Sequence, residues 1–335
     1  MTKQTLLSIA TLLLIQLFTY STAGAVRVGI QPKPHVIFAT YAESDEQLRH
    51  VCILAESLWK FGRKYADSPV WVYLSTEYTD RDTNLISRIK DSGVKIYETE
   101  IPDEASWFYY AGKVFAAGEA EKSAEKIGSP LVWLDEDTII LNEPTDLILK
   151  EGVSFAYRPV MHNRSGSLYS EPPDEFWGRI YDVLELDPDS LYPMTTPADK
   201  QEIRSYFNAG LLAVRPEVGI LRGWGDEFLK LCSDSVLSQM CRDDVIKRIF
   251  LHQTALVAPP IKKLKRDEMV ELSLNYNYPM FFKRQFGALE EFDDIGDVIT
   301  LRYDTYFRNP DPDWSNQLTG PGDKISFLRE KLGEE

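Results

Sequence analysis

The chain has 335 residues, 44% of them hydrophobic and 12% aromatic, enough to bury a large core as one large α/β domain or two small ones. Its formal net charge of −15 argues against nucleic acid and anionic membrane surfaces as partners. No stretch after the first 25 residues reads as a membrane span, so no stable span is expected.

Residues 1–25 have the layout of a secretory signal peptide: Lys3, then an apolar run from Leu6 to Phe18 broken by Ser8, Thr11 and Gln16, then Ala23-Gly24-Ala25. The run is shorter than the roughly 20 residues a spanning helix needs. The expectation is therefore a mature chain starting near Val26, secreted or held in a secretory lumen. The alternative is a membrane anchor through residues 6–20. Loss of Lys3 with the leader makes the mature chain one unit more negative still. Residues 26–34, with Pro32 and Pro34, read as a linker.

The apolar run 36–39 predicts a first strand, and Ser44-Asp45-Glu46-Gln47 has the capping-box pattern that opens a helix. That helix carries Cys52 on an apolar stripe, as a buried thiol. Strands are expected over 70–74 and 94–97, with a helix over 83–90 closed by Gly93, and a further helix over 111–126. Strands alternating with helices imply a mostly parallel sheet with helices on both faces, whose ligands bind at the carboxyl ends of the strands.

At the next such end stands LVWLDEDTIIL, residues 131–141. Leu131 to Leu134 read as a strand buried on both faces, and apolar residues resume at Ile139. Carboxylates framed this way need a cationic partner. In extended chain Asp135 and Asp137 would share one side of the backbone while Glu136 points away. The pair suits a divalent cation, Mn²⁺ or Mg²⁺, shared with a ligand's phosphates.

Phe176, Trp177, Tyr181 and Tyr192, in a helix-and-loop segment, are read as core in preference to a sugar platform. Tyr206 to Gly210 precede a strand over 211–214. In an oxidising compartment Cys232 and Cys241 are expected to pair; the alternative is two free half-buried thiols. The sequon Asn163-Arg164-Ser165 has meaning only where glycosylation occurs. After about Pro259 the pattern loosens into stretches read as loops folded over the main body.

Three segments in order, Val36-Ile-Phe-Ala-Thr-Tyr41, Trp133-Leu-Asp-Glu-Asp-Thr138 and Tyr206-Phe-Asn-Ala-Gly-Leu-Leu-Ala-Val-Arg-Pro216, followed by His252-Gln253 and Asn275-Tyr-Asn277, resemble glycosyltransferases of the GT-A fold. Within these the chain is similar to the family 8 type that includes glycogenin and lipopolysaccharide galactosyltransferases. The resemblance implies a Rossmann-like core over residues 35–258, with a single mostly parallel sheet flanked by helices. A loop-rich segment, 259–335, would pack on the same domain. It implies a nucleotide-diphosphate sugar as donor, a carbohydrate or glycoconjugate acceptor, and transfer of a hexose with retention. Thr40 and Tyr41 would lie near the base and ribose, and the diphosphate on a cation held by Asp135 and Asp137. The donor sugar would lie near Asn208, Ala209 and Gly210, and Lys113 beside the leaving group. Gln253 would lie beneath the anomeric carbon as a positioning or charge-stabilising group, its amide being a poor nucleophile. Two positions depart from the family: His252 replaces the Asp before the Gln, and Arg302 replaces the late metal-binding His. Arg302 has no lone pair for a cation, but it can offset charge on a diphosphate.

Two other functions compete with this one. A secreted, non-catalytic carbohydrate-binding or interaction protein could keep the fold and lack turnover. A nucleotidyltransferase would want a Gly-rich basic loop after the first strand, and Tyr41-Ala-Glu-Ser-Asp-Glu46 is acidic and lacks Gly.

Overall fold

A computed structural model describes residues 36–280, 294–303 and 318–333, all within one compact unit, Pro34–Glu335. The leader expected over 1–25 and the 26–34 linker lie outside the described residues. In chain order the first half runs β1 (Ile37–Ala42), α1 (Asp45–Phe61), β2 (Val70–Ser75), α2 (Thr83–Asp91), β3 (Lys95–Thr99), α3 (Ala111–Ile127), β4 (Leu131–Leu134) and β5 (Thr138–Ile140). The middle holds β6 (Phe155–Pro159), α4 (Glu175–Val183), β7 (Pro193–Thr195), β8 (Glu202–Arg204) and β9 (Phe207–Val214). Helices α5 (Ile220–Ser233), α6 (Ser235–Asp243), α7 (Val245–Ala255) and α8 (Ala258–Lys263) follow, then β10 (Met269–Glu271), β11 (Tyr278–Pro279), β12 (Thr300–Arg302) and α9 (Gly322–Leu332).

Seven strands form the main sheet in the order β10-β6-β9-β4-β1-β2-β3. Pairings β1/β2, β1/β4, β2/β3 and β10/β6 are parallel, and β9 is antiparallel to both its neighbours. This is the expected α/β architecture, a mostly parallel central sheet flanked by helices. Both faces of the sheet are covered, and the strand period of two sorts residues between them. Ile37, Tyr41, Trp71, Leu131 and Trp133 enter one apolar cluster; Val36, Phe38, Val70, Val132 and Leu134 enter the other. Phe176, Trp177 and Tyr181 belong to the first cluster, as the core reading required.

Ser44 caps α1 by accepting from the Gln47 N–H at 3.2 Å, and Gln47 reaches back to the Glu43 N–H rather than that of Ser44. Three expectations need revision. Strand β1 continues through Thr40 and Tyr41, because parallel pairing with Val72 and Tyr73 extends that far. Strand β9 begins at Phe207, so Asn208, Ala209 and Gly210 lie inside a strand and not in a turn. The part after residue 258 is not all loop: β10 joins the main sheet, and β11 and β12 build a second sheet with β5. The disulfide is also corrected. Cys232 and Cys241 are separate buried thiols on successive helices, and Cys52 is only half-buried. Burial pushes the thiol of Cys232 up and that of Cys241 to about 11, so neither is a thiolate poised for exchange at neutral pH.

Helix α3 is lined with alanines, and its close approach to α5 places the fully buried Glu121 at that helix's start. Glu121 accepts from the Leu221 N–H at 3.1 Å and the Arg222 N–H at 2.9 Å, satisfying donors that a helix start leaves open. Burial raises its carboxyl to about 7 against those hydrogen bonds. A buried acid whose folded pKa exceeds its unfolded value holds its proton more tightly when folded. Stability therefore falls as pH rises from the ordinary carboxylate range to about 7. Glu121→Gln should flatten that fall relative to wild type, by an amount on the order of 3 kcal/mol across the window. Urea midpoints between pH 4.5 and 7.5 check it, and parallel wild-type and variant curves would refute it.

Candidate active site

The site lies along the carboxyl edge of the parallel strands. Strand β9 runs the other way, so it is its beginning that reaches this edge. Leu134 pairs with Leu211, and the Asp135 N–H donates to the Gly210 carbonyl at 2.9 Å. Residues 135–137 are not extended: the Thr138 N–H returns to the Asp135 carbonyl at 3.2 Å, closing a turn. The alternation argument for the acids therefore fails, yet Asp135 and Asp137 still converge, because tertiary contacts bring a common partner to them.

That partner is Arg302. Antiparallel pairing of β12 with β5 sets Arg302 opposite Thr138, and the Tyr303 N–H donates to the Asp137 carbonyl at 3.1 Å. The guanidinium spans both acids, with Nη2 at 2.8 Å from Asp135 Oδ2 and Nε at 3.1 Å from Asp137 Oδ1. Lys113, in the first turn of α3, pairs with Asp135 Oδ1. Burial alone would raise the Asp135 carboxyl; the charges of Arg302 and Lys113 outweigh it and hold the group below the usual carboxylate range. Glu136 does not escape the cluster. Burial, then the charges of Asp137 and Asp135, push its carboxyl to about 8, so it carries a proton at neutral pH.

His252 lies buried behind this group. Its Nδ1 faces the Ile249 carbonyl at 2.8 Å, so Nδ1 carries the proton. Burial, followed by the charge of Lys113, lowers the ring to about 3, and it is neutral at physiological pH. Gln253 accepts from the Ala209 N–H through Oε1 at 3.2 Å. Asn208 Oδ1 accepts from the Gly210 N–H at 2.8 Å and from Asn277 Nδ2 at 3.1 Å. Thr40 is buried with its hydroxyl lacking a hydrogen-bond partner. The Tyr41 hydroxyl donates to Glu43 at 2.8 Å, and its ring fills the space beside Gly112, where any Cβ would collide with it. A cleft of about 420 Å³, lined among others by Glu43, Ser44, Gln47, Ser75 and Tyr78, opens at the ends of β1 and β2 beside Tyr41.

The structure thus brings Lys113, Asp135, Asp137, Asn208, Ala209, Gly210, Gln253 and Arg302 into one connected group, with Thr40 and Tyr41 on the neighbouring strand. Sequence reading gave no role to Asn277, which orients Asn208, or to Gly112, which admits Tyr41. Asn277 has φ 53°, a conformation Asn tolerates better than most residues. The sequence carried no separate signal for Gly112.

An α/β sheet with a buried acid turn, cationic partners and a cleft at its carboxyl edge is an architecture suited to a transferase, and the family comparison agrees. The chain matches the Rhodobacterales glycosyltransferase domain over residues 39–259 and belongs to that family; it is a transferase. No curated relative matches it significantly. Among solved structures it is similar to apo mouse xyloside xylosyltransferase 1, with 13% identity over 82% of this chain and 98% of that one, and TM-score 0.45. It is also similar to the glycosyltransferase GlyE of Streptococcus pneumoniae TIGR4, with 15% identity over 90% and 62% of the two chains and TM-score 0.43. For the galactosyltransferase LgtC in complex with donor and acceptor sugar analogues the figures are 13%, 79% and 86%, with TM-score 0.43.

Gly210 is the tightest point of the group. A Cβ there would sit 2.7 Å from Asp135 Oδ2 and 3.0 Å from both Arg302 Nη1 and Asn208 Oδ1. Gly210→Ala should therefore displace the Asp135–Arg302 pair and cost about 1–3 kcal/mol. Thermal unfolding together with nucleotide-diphosphate titration checks this; an unchanged affinity and midpoint would show that the edge has slack the geometry denies.

Proposed function

We propose that the protein transfers a hexose from a nucleotide-diphosphate sugar to a hydroxyl of a carbohydrate or glycoconjugate, with retention of configuration. The observation that carries this is the convergence of two buried carboxylates, two cations and the Asn208–Gly210 strand at one sheet edge. In this reading Thr40 and Tyr41 border the base and ribose, and Asn208, Ala209 and Gly210 face the donor sugar. Gln253, fixed through Ala209, lies beneath the anomeric carbon as a positioning group. None of the side chains in the cluster is a free base at neutral pH. Asp135 and Asp137 are paired with cations, Glu136 holds a proton and the His252 ring is a weak base. The acceptor's proton is then best taken by the departing diphosphate, which lies on the face that the acceptor attacks when configuration is retained.

The charges of Asp135, Asp137, Lys113 and Arg302 cancel, so an arriving diphosphate brings negative charge that the protein has not already matched. Among the described residues no group of three or more Asp, Glu, His or Cys is placed to hold a cation. Two carboxylates nevertheless fit a hard cation that also takes substrate phosphates. Asp135 and Asp137 would hold it, and its chemistry would be to neutralise the leaving diphosphate. The expectation is that Mn²⁺ alone binds weakly and that nucleotide diphosphate and Mn²⁺ bind together. Arg302→His removes the guanidinium that spans the acids and supplies a ligand in its place, so it should tighten binding of free Mn²⁺ by about tenfold or more. Calorimetry of wild type and variant with Mn²⁺, nucleotide diphosphate and both checks this, while donor hydrolysis across UDP- and GDP-sugars tests the reaction. Strong Mn²⁺ binding by the wild-type protein alone, or no hydrolysis from any donor, would defeat the proposal.

We further propose that the chain works after export, its leader removed near Val26; an intact mass retaining residues 1–25 would refute this. Among the described residues no helix is long and apolar enough to cross a membrane.

A further inference from the structure

Between β3 and α3 the chain turns through Trp107, Phe108, Tyr109 and Tyr110. Phe108 is buried and edges against Phe228, with ring centroids 6.0 Å apart, which anchors the segment. Its three aromatic neighbours remain in water: Trp107 is 36% exposed, Tyr109 46% and Tyr110 51%. Two arginines from the α6–α7 region lie on this surface. Arg242 sits 5.4 Å from the Trp107 ring centre, and Arg248 sits 5.8 Å from that of Trp107 and 4.7 Å from that of Tyr109. Arg248 Nη2 also donates to the Tyr109 hydroxyl at 3.1 Å, while its buried Nε has no hydrogen-bond partner.

Among the described residues neither guanidinium forms an ion pair with a carboxylate, although Asp103 and Glu104 stand in the same segment. Unpaired arginines on such an acidic molecule mark a place suited to an anion. The patch is also continuous with the acid cluster. The Tyr110 ring packs 4.7 Å from that of His252, and Lys113 Nζ lies 5.6 Å from the Tyr110 ring centre. Tyr110 adopts φ 63° as the residue that starts α3, a left-handed conformation uncommon for a large side chain. Exposed aromatic faces take the apolar faces of sugar rings, and guanidinia take carboxylates or phosphates on the same ring.

We propose that Trp107, Tyr109 and Tyr110, with Arg242 and Arg248, form the acceptor platform, and that the acceptor is an anionic glycan bearing a carboxylate or a phosphate. This rests on the glycosyl-transfer reading above and adds the acceptor's chemical class. Tyr110 lies where the platform meets the donor cluster, and the two arginines set the charge that the acceptor must carry.

Binding is measured by saturation-transfer NMR and calorimetry at low salt, with three probes: a glucuronate-terminated disaccharide, a hexose 6-phosphate, and lactose as the neutral comparison. One or both acidic probes should bind at least about tenfold tighter than lactose, and which of them does so separates carboxylate from phosphate. Arg242→Gln changes an exposed side chain, and Arg248→Gln a half-buried one; each should shrink that preference, and salt should erode it in the wild type. Equal binding of lactose and the acidic probes, no binding of any probe, or a preference that survives both variants would overturn the proposal. Wild-type donor hydrolysis without acceptor is measured alongside. If it is absent, the glycosyl-transfer reading fails; if it is present with no acidic preference, only the anionic-acceptor proposal fails.

Discussion

Two carboxylates held out of water, Asp135 and Asp137, set the terms for the whole carboxyl edge of the sheet. Removing a charge from water costs several kcal/mol unless an opposite charge meets it in good geometry. The fold supplies that charge from two directions, Lys113 from the first turn of α3 and Arg302 from β12. Neither cation is local in sequence to the acids. Arg302 arrives because β12 pairs with β5, the strand that leaves the acid turn, so the second sheet brings a guanidinium to Asp137, 165 positions earlier, and to Asp135 beside it.

The reversed strand β9 is the second constraint. In a wholly parallel sheet this edge would receive only strand ends and the loops after them. Reversal instead brings the start of β9 here, where backbone groups are already tied into the sheet, and a site built on a strand is more rigid than one built on a loop. Gly210 is required at that point because Asp135, Asn208 and Arg302 occupy the volume a side chain would need. Asn208 and Gln253 are both fixed by hydrogen bonds to this strand, leaving little freedom in the surface presented to a ligand.

Charge is distributed unevenly over the protein. The acid cluster is balanced internally, the cleft beside Tyr41 is rimmed with Glu43, Glu46 and Glu77, and the aromatic face before α3 carries arginines without carboxylate partners. A balanced cluster suits a ligand that enters with its own counter-charge, whereas guanidinia without a carboxylate partner among the described residues suit one that does not.

The alternation of strands and helices through residue 134, the apolar frame of the acid motif and the capping signal at Ser44 were local patterns, and the sequence by itself determined them. The parallel sheet buried on both faces followed, because strands joined by helices can pack in few other ways. The family resemblance named the residues of the acid cluster, and every one of them lies at one edge. The path of the chain through the acids was not legible. Residues 135–137 form a turn closed by the Thr138 N–H, and Arg302, whose place depends on the distant strand β12, meets both acids there. The same holds for the late segment, where short strands with little period of their own exist only because β5 and β6 offer them edges. The cysteines, close in sequence, remain apart as thiols because each helix buries its own. The pairing of Arg302 with both acids, the space that only Gly210 leaves open and the arginines stacked on Trp107 and Tyr109 were decided by tertiary structure alone. Each depends on distances between elements that no local pattern encodes.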